Sequence, residues 1–158
     1  MYICFLKKKL MRNTISVVIF FPVDAHVYKY LQKSVGEKLV TSKNNFFGTI
    51  VLDLLSKRDT DIKIVKGELT YCVEISEDYM YRYGIYIDEK IKRKFNSHID
   101  KMFRKELITH VEIQSAKGFR KKQEAIREFL FYYNITEEDI KFETLVKYLD
   151  RNIKKFFG

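Results

Sequence analysis

The sequence predicts an α+β fold, a small β-sheet followed by a mainly helical C-terminal half. Three patterns carry that prediction. Residues 15–21 are an unbroken β-branched and aromatic run, the composition of a buried strand. Over residues 68–75, Leu69, Tyr71, Val73 and Ile75 alternate with Glu68, Thr70, Cys72 and Glu74. That period of two marks a strand with one buried and one wet face. From Asp88 onward the apolar side chains recur at three- and four-residue intervals, the spacing of amphipathic helices.

In order along the chain, the strand at 15–21 is expected to end at Pro22, which cannot donate to a ladder. Asp24 is placed to cap a helix over 25–35, with Val27, Leu31 and Val35 on one face and Gly36 at its stop. A polar connection, 37–43, leads to a second helix over 44–57, capped by Ser42 or Asn44. Its apolar stripe is Phe47, Ile50, Val51, Leu54 and Leu55. Gly48 within it costs about 1 kcal/mol relative to Ala, which implies close packing there. A charged loop, 57–61, precedes two strands near 62–65 and 68–75 joined at Lys66 and Gly67. Residues 76–84 read as a tyrosine-rich turn or single helical turn. Asp88 caps a helix reaching 107 or beyond, with a break over 112–118. A helix over 119–133 buries Phe119, Ile126, Phe129, Leu130 and Tyr133. Thr136, Glu137, Glu138 and Asp139 resemble a capping box. The last helix, 142–156, carries Phe142, Leu145, Val146, Leu149, Ile153 and Phe156 at helical spacing.

The 158 residues contain no internal repeat and no Pro/Gly-rich boundary. One domain over 1–158 is expected, with an α/β portion near 12–84 and a helical portion near 88–157. Residues 1–10 read as a disordered leader, since Met11 can itself serve as a start. A hydrophobic fraction of 46% excludes a disordered chain despite 32% charged residues. The apolar run 15–21 is far shorter than the roughly 20 residues of a membrane span, and no small-x-small cleavage site follows it. Cys4 and Cys72 form no CxxC pair, so a disulfide framework is not expected. These readings point to a cytoplasmic protein with no membrane partner.

The strongest functional signal is charge. The chain has 30 Lys+Arg against 21 Asp+Glu, a net charge of +9. Within the helix opened by Asp88, Lys90, Lys94, Ser97, Lys101 and Lys105 lie on one face, bordered by Arg93 and Arg104. Phe95, Ile99 and Met102 lie opposite. Between 88 and 127 there are 12 basic residues and six acidic ones, a balance of +6. One-sided charge of this kind attracts phosphate backbones, although a basic helix face can also be plainly solvated. Arg120, Lys121 and Lys122 fall in the first turn of a predicted helix, where cations oppose the dipole by about 0.3–1 kcal/mol each. A ligand phosphate would repay that arrangement, as would a helix that starts elsewhere. Lys147, Arg151, Lys154 and Lys155 form a second basic stripe on the last helix. The helices 119–133 and 142–156 resemble a helix-turn-helix unit, with Lys147 and Arg151 placed for base readout. The acidic connection 136–141 departs from that unit, and cations near a helix C-terminus also serve its dipole.

Residues 12–57, in the order strand, helix, turn, helix, resemble the ribbon-helix-helix DNA-binding proteins. The resemblance implies that Arg12, Thr14 and Ser16 face bases, that Ser42, Lys43 and Asn44 meet the backbone, and that two subunits pair their strands. The chain departs from the pattern at Val18 and Phe20, where polar residues are expected, and in a longer inter-helix connection. A strand paired within the chain's own sheet is the alternative. In overall style, Lys-, Phe- and Tyr-rich with a single Pro, the chain is similar to small proteins of phages and mobile elements.

No catalytic constellation is visible. His26, His98 and His110 follow no metal-ligand spacing, and His98 borders the apolar face, where a structural histidine is expected. No GxxxxGK[ST], GxGxxG or GxSxG occurs. Glu68 and Glu74 with Asp61 form only a loose candidate for Mg²⁺. The sequence therefore predicts a nucleic-acid-binding protein, DNA before RNA, that is not an enzyme and needs no cofactor or metal. A homodimer or larger oligomer is allowed. The alternative is a virion or assembly protein acting through aromatic interfaces centred on Tyr79, Tyr81 and Tyr83.

Overall fold

Strand β3 (Leu69–Ser76), the alternating segment, lies at the centre of a three-stranded mixed sheet of order β1-β3-β2. The computed structural model describes residues 15–56, 69–84, 89–116, 118 and 121–153. β1 (Ser16–Val23) pairs antiparallel with β3, from Ser16 opposite Ser76 to Val23 opposite Leu69. β2 (Lys38–Val40) pairs parallel with β3, with Leu39 opposite Val73. The buried face carries Phe21, Val23, Leu39, Tyr71, Val73 and Ile75, and the other face leaves Phe20 and Val40 exposed. The chain is thus α+β, with a small sheet and a helical C-terminal half.

Several boundaries differ from the sequence expectation, each for a physical reason. β1 does not stop at Pro22, which pairs with Thr70. β1 borders the sheet among the described residues, and an outward-facing N–H on such a strand needs no ladder partner. The polar connection 37–43 contains β2, a strand too short to show a period. The strand expected near 62–65 and the leader expected at 1–10 lie outside the described residues.

Helix α1 (Ala25–Ser34) follows Asp24, whose carboxylate leaves the capping role and accepts from Asn96 Nδ2 at 2.9 Å. Helix α2 (Phe46–Ser56) is capped by Asn45, one residue past the expected caps, and Asn45 Oδ1 accepts from the Phe47 N–H at 2.9 Å. A Cβ on Gly48 would stand 2.6 Å from the Ser42 backbone, which is the close approach that the glycine implied. The tyrosine-rich segment forms a helix, α3 (Glu77–Tyr83).

The largest correction concerns α4 (Glu89–Ala116), a continuous helix of 28 residues that runs through the expected break. Burial ends at Val111, and residues 112–116 continue the helix one turn past the last buried side chain. Gly118, at φ +66, lies in the left-handed conformation just past its end. Helices α5 (Lys122–Tyr132) and α6 (Phe142–Ile153) complete the chain. α4 is the hub. Its ridge of Ile91, Phe95, Ile99, Phe103, Leu107 and Val111 is buried along its length. The Phe103 ring lies 5.3 Å from His26, 5.6 Å from Tyr30 and 5.6 Å from Phe129, which joins α1 and α5 to α4.

Candidate nucleic-acid interface

The buried ridge of α4 fixes what its opposite face can do. A helix anchored through positions 95, 99 and 103 must turn positions 97, 101 and 105 outward, and Ser97, Lys101 and Lys105 are exposed. Lys90 and Lys94 at the start of the stripe are half-buried and engage neighbours, as does Arg93.

The two carboxylates in the middle of α4 are turned away from that stripe. Asp100 accepts His26 Nε2–H at 2.8 Å on one oxygen and Arg104 Nε–H at 2.8 Å on the other. Burial alone would push the Asp100 carboxyl up. The hydrogen bonds from His26 and Arg104, and the charge beside it, hold it below the usual carboxylate range. Glu106 accepts the hydroxyls of Tyr30 and Tyr133, each at 2.6 Å. Burial, together with hydrogen bonding to Glu106, pushes both phenols well above their ordinary value. Asp100 and Glu106 thus take their hydrogen bonds from residues other than Lys101 and Lys105.

Arg104 connects the stripe to α6. Besides its bond to Asp100, its guanidinium lies 4.8 Å from the centre of the Tyr148 ring. α6 is held by Leu145 and Leu149, both fully buried, and turns Lys147 and Arg151 to solvent. Lys147 makes only a loose contact with Glu143, 4.0 Å away and largely exposed, a pairing that contributes little. Arg104 thus touches α6 through the Tyr148 ring, and Lys147 and Arg151 are exposed elsewhere on that helix.

The cluster at the start of α5 is arranged differently. Lys121 is the exposed N-cap residue, and its N–H donates to Glu124 Oε2 at 3.4 Å. Lys122 is the first helical residue and pairs with Asp150 of α6. Arg120 lies outside the described residues, as do Lys154 and Lys155. Arg127 stands 5.1 Å from the centre of the Phe142 ring. The sequence-predicted cations thus divide into two kinds. Lys101, Lys105, Lys121, Lys147 and Arg151 are exposed, whereas Arg104 and Lys122 are engaged by Asp100 and Asp150.

On the sheet, Ser16 donates to Glu74 Oε1 at 2.8 Å, and Glu74 also pairs with Lys38. Lys43 lies 5.7 Å from the centre of the Tyr83 ring, and its N–H donates to the Tyr79 hydroxyl at 3.3 Å. Arg12 and Thr14 lie outside the described residues, as do Asp61 and Glu68 of the candidate Mg²⁺ site. Among the described residues no three His, Cys, Asp or Glu side chains are grouped closely enough to hold a metal ion. No helix among them is long and apolar enough to cross a membrane. His98 is exposed rather than packed in the core, and its Nδ1 bonds the Lys94 carbonyl at 2.7 Å.

The sequence reading gave no role to His26, Tyr30 or Glu106 and placed Tyr133 only as a buried position. One signal existed for Glu106. It follows Phe103 by three residues and Ile99 by seven, so it lies on the apolar side of α4, where a carboxylate needs internal donors. Comparison of the chain with known protein families, with curated proteins and with solved structures finds no match.

Proposed function

We propose that this protein binds nucleic acid, DNA in the first instance, through the exposed face of α4, with the exposed cations of α6 as a second contact. One observation carries the reading. Ser97, Lys101 and Lys105 face water along one side of α4, while Asp100 and Glu106 take their hydrogen bonds from His26, Arg104, Tyr30 and Tyr133. Lys101 and Lys105 stand about 6 Å apart along a helix that the core holds rigid. Their ammonium groups would meet successive backbone phosphates, and the Ser97 hydroxyl would donate to a third oxygen. Such contacts position the protein without reading sequence. Lys147 and Arg151, exposed on α6, would contact base edges in this reading. Among the described residues Cys72 forms no disulfide.

A mobility-shift titration at about 50 mM salt with random-sequence duplex DNA, single-stranded DNA and RNA of equal length tests the proposal. Retardation of at least one DNA form in the micromolar range is expected. No retardation of any of the three would remove it.

A second reading, an assembly protein, draws on α3. Tyr81 is 84% exposed, whereas Tyr79 and Tyr83 pack on the core and against each other. A salt-resistant oligomer that ignores nucleic acid and dissociates on Tyr81→Ala would favour that reading.

A further inference from the structure

Phe131, at 87% the most exposed large hydrophobic side chain among the described residues, stands in the last turn of α5 beside Tyr132, which is 61% exposed. The fold gives neither ring a core to fill. The inward residues of that turn are Phe129, Leu130 and Tyr133, all buried. Holding a Phe ring in water forgoes the burial that the other side chains of α5 achieve.

The surroundings of the two rings are specific. Tyr132 is fixed edge-on to Tyr133, with ring centres 4.9 Å apart. Lys33, at the end of α1, places its ammonium 4.9 Å from the centre of the Tyr132 ring. Arg127 lies one turn before Phe131 on the same side of α5, and it is exposed. Two acids share this helix face, and both are engaged. Glu124 accepts the Lys121 N–H, and Glu128 stands 3.7 Å from His110. The exposed Phe131 ring, the Tyr132 ring beneath the Lys33 ammonium, and Arg127 one turn away bring aromatic rings and cations together, the combination that binds single-stranded nucleic acid, in which bases stack on rings and phosphates meet Lys or Arg.

We propose that Phe131 and Tyr132, with Lys33 and Arg127, form a base-stacking platform for single-stranded nucleic acid. The proposal rests on the nucleic-acid reading above and sharpens it. The basic stripe of α4 holds backbone of either strandedness, and the platform adds a preference for unpaired bases. Duplex DNA keeps its bases stacked on each other and offers these rings nothing.

The full chain contains no Trp, so Phe131→Trp creates a protein with one indole, placed on the platform. A thymidine 20-mer should quench its emission saturably, and a duplex of the same length should not. Phe131→Ala with Tyr132→Ala should weaken binding of the 20-mer by about 10- to 100-fold while leaving duplex affinity within about twofold. Both side chains are exposed, so the far-ultraviolet spectrum and melting temperature should match the parent, which separates lost contact from lost fold. Unchanged indole emission at saturating 20-mer would overturn the platform. So would equal losses on both strand forms, or conversion of a dimer to a monomer by the double substitution, since that would assign the rings to a protein contact. In each of these cases wild-type binding to DNA persists. If the wild-type protein binds no nucleic acid at all, the underlying reading fails, and the platform with it.

Discussion

Replacing Glu106 by Ala should remove the acceptor that ties α1 and α5 to α4. In the structure Tyr30 and Tyr133 each donate to a different oxygen of Glu106 at 2.6 Å. The two tyrosines are 3% and 7% exposed, so neither hydroxyl turns to bulk water without moving its ring. A hydrogen bond to a charged group contributes about 1.5–3 kcal/mol. Glu106 itself reaches solvent, and water entering its vacated place would recover part of that. The expected cost of Glu106→Ala is therefore about 2–4 kcal/mol in total, a large share of the roughly 5–15 kcal/mol that holds a domain folded. In urea titrations the midpoint should fall with the slope unchanged. The melting temperature should drop by about 4–16 °C. Glu106→Gln, which keeps the shape and one acceptor oxygen, should lose about half as much. Adding Tyr30→Phe and Tyr133→Phe to Glu106→Ala should cost less than the sum of the separate changes, because the stranded donors are gone. Stability of Glu106→Ala within about 0.5 kcal/mol of the parent would refute the reasoning and show that these hydroxyls are satisfied elsewhere.

Charge reversal at Lys101→Glu with Lys105→Glu should weaken DNA binding for every sequence tested and reduce the salt slope by about 2, one unit per lost phosphate contact, measured by anisotropy. An unchanged slope would remove α4 from the interface. By contrast, Lys147→Ala with Arg151→Ala should reduce discrimination between sequences more than affinity for random duplex, read by competition binding. Acid should destabilise the protein through Asp100, whose carboxyl is held low. Its contribution is present above the unfolded value of about 3.9 and is lost as pH falls through the lower folded value. Asp100→Asn should flatten the acid limb of a pH–stability curve. At the alkaline end, burial pushes the Tyr71 phenol up to about 12. The stability it confers is present below about pH 10 and is lost as pH rises through about 12, with delayed tyrosinate absorbance as the readout.

Strong periods and special residues made much of the fold legible. The alternation of residues 69–75 marked β3, and the four-residue ridge through Phe95 and Ile99 set which side of α4 is buried. Because that ridge was legible, so was the outward direction of Lys101 and Lys105. Short or context-set features were not. β2 exists because Leu39 fills a place beside Val73, a partner that three residues of sequence cannot announce. α4 continues to Ala116 although no residue of 112–116 is buried, an extension that the thin local apolar pattern does not announce. Asp24 left its capping role because Asn96, 72 residues away, offers both a donor and an acceptor. The division of cations into exposed and engaged was equally hidden. Arg104 and Lys122 look like Lys101 and Lys121 in sequence, and only the placement of Asp100 and Asp150 separates them.

The most direct measurement is the dependence of wild-type DNA affinity on salt. Of the cations assigned to the interface, Lys101, Lys105, Lys121, Lys147 and Arg151 are exposed. If Lys101, Lys105 and Lys121 meet phosphates while Lys147 and Arg151 meet base edges, the logarithm of the association constant should fall against the logarithm of salt concentration with a slope of about −3. Undetectable binding at about 50 mM salt, or an affinity that does not change between about 50 and 200 mM, would contradict the assignment of this surface to nucleic acid.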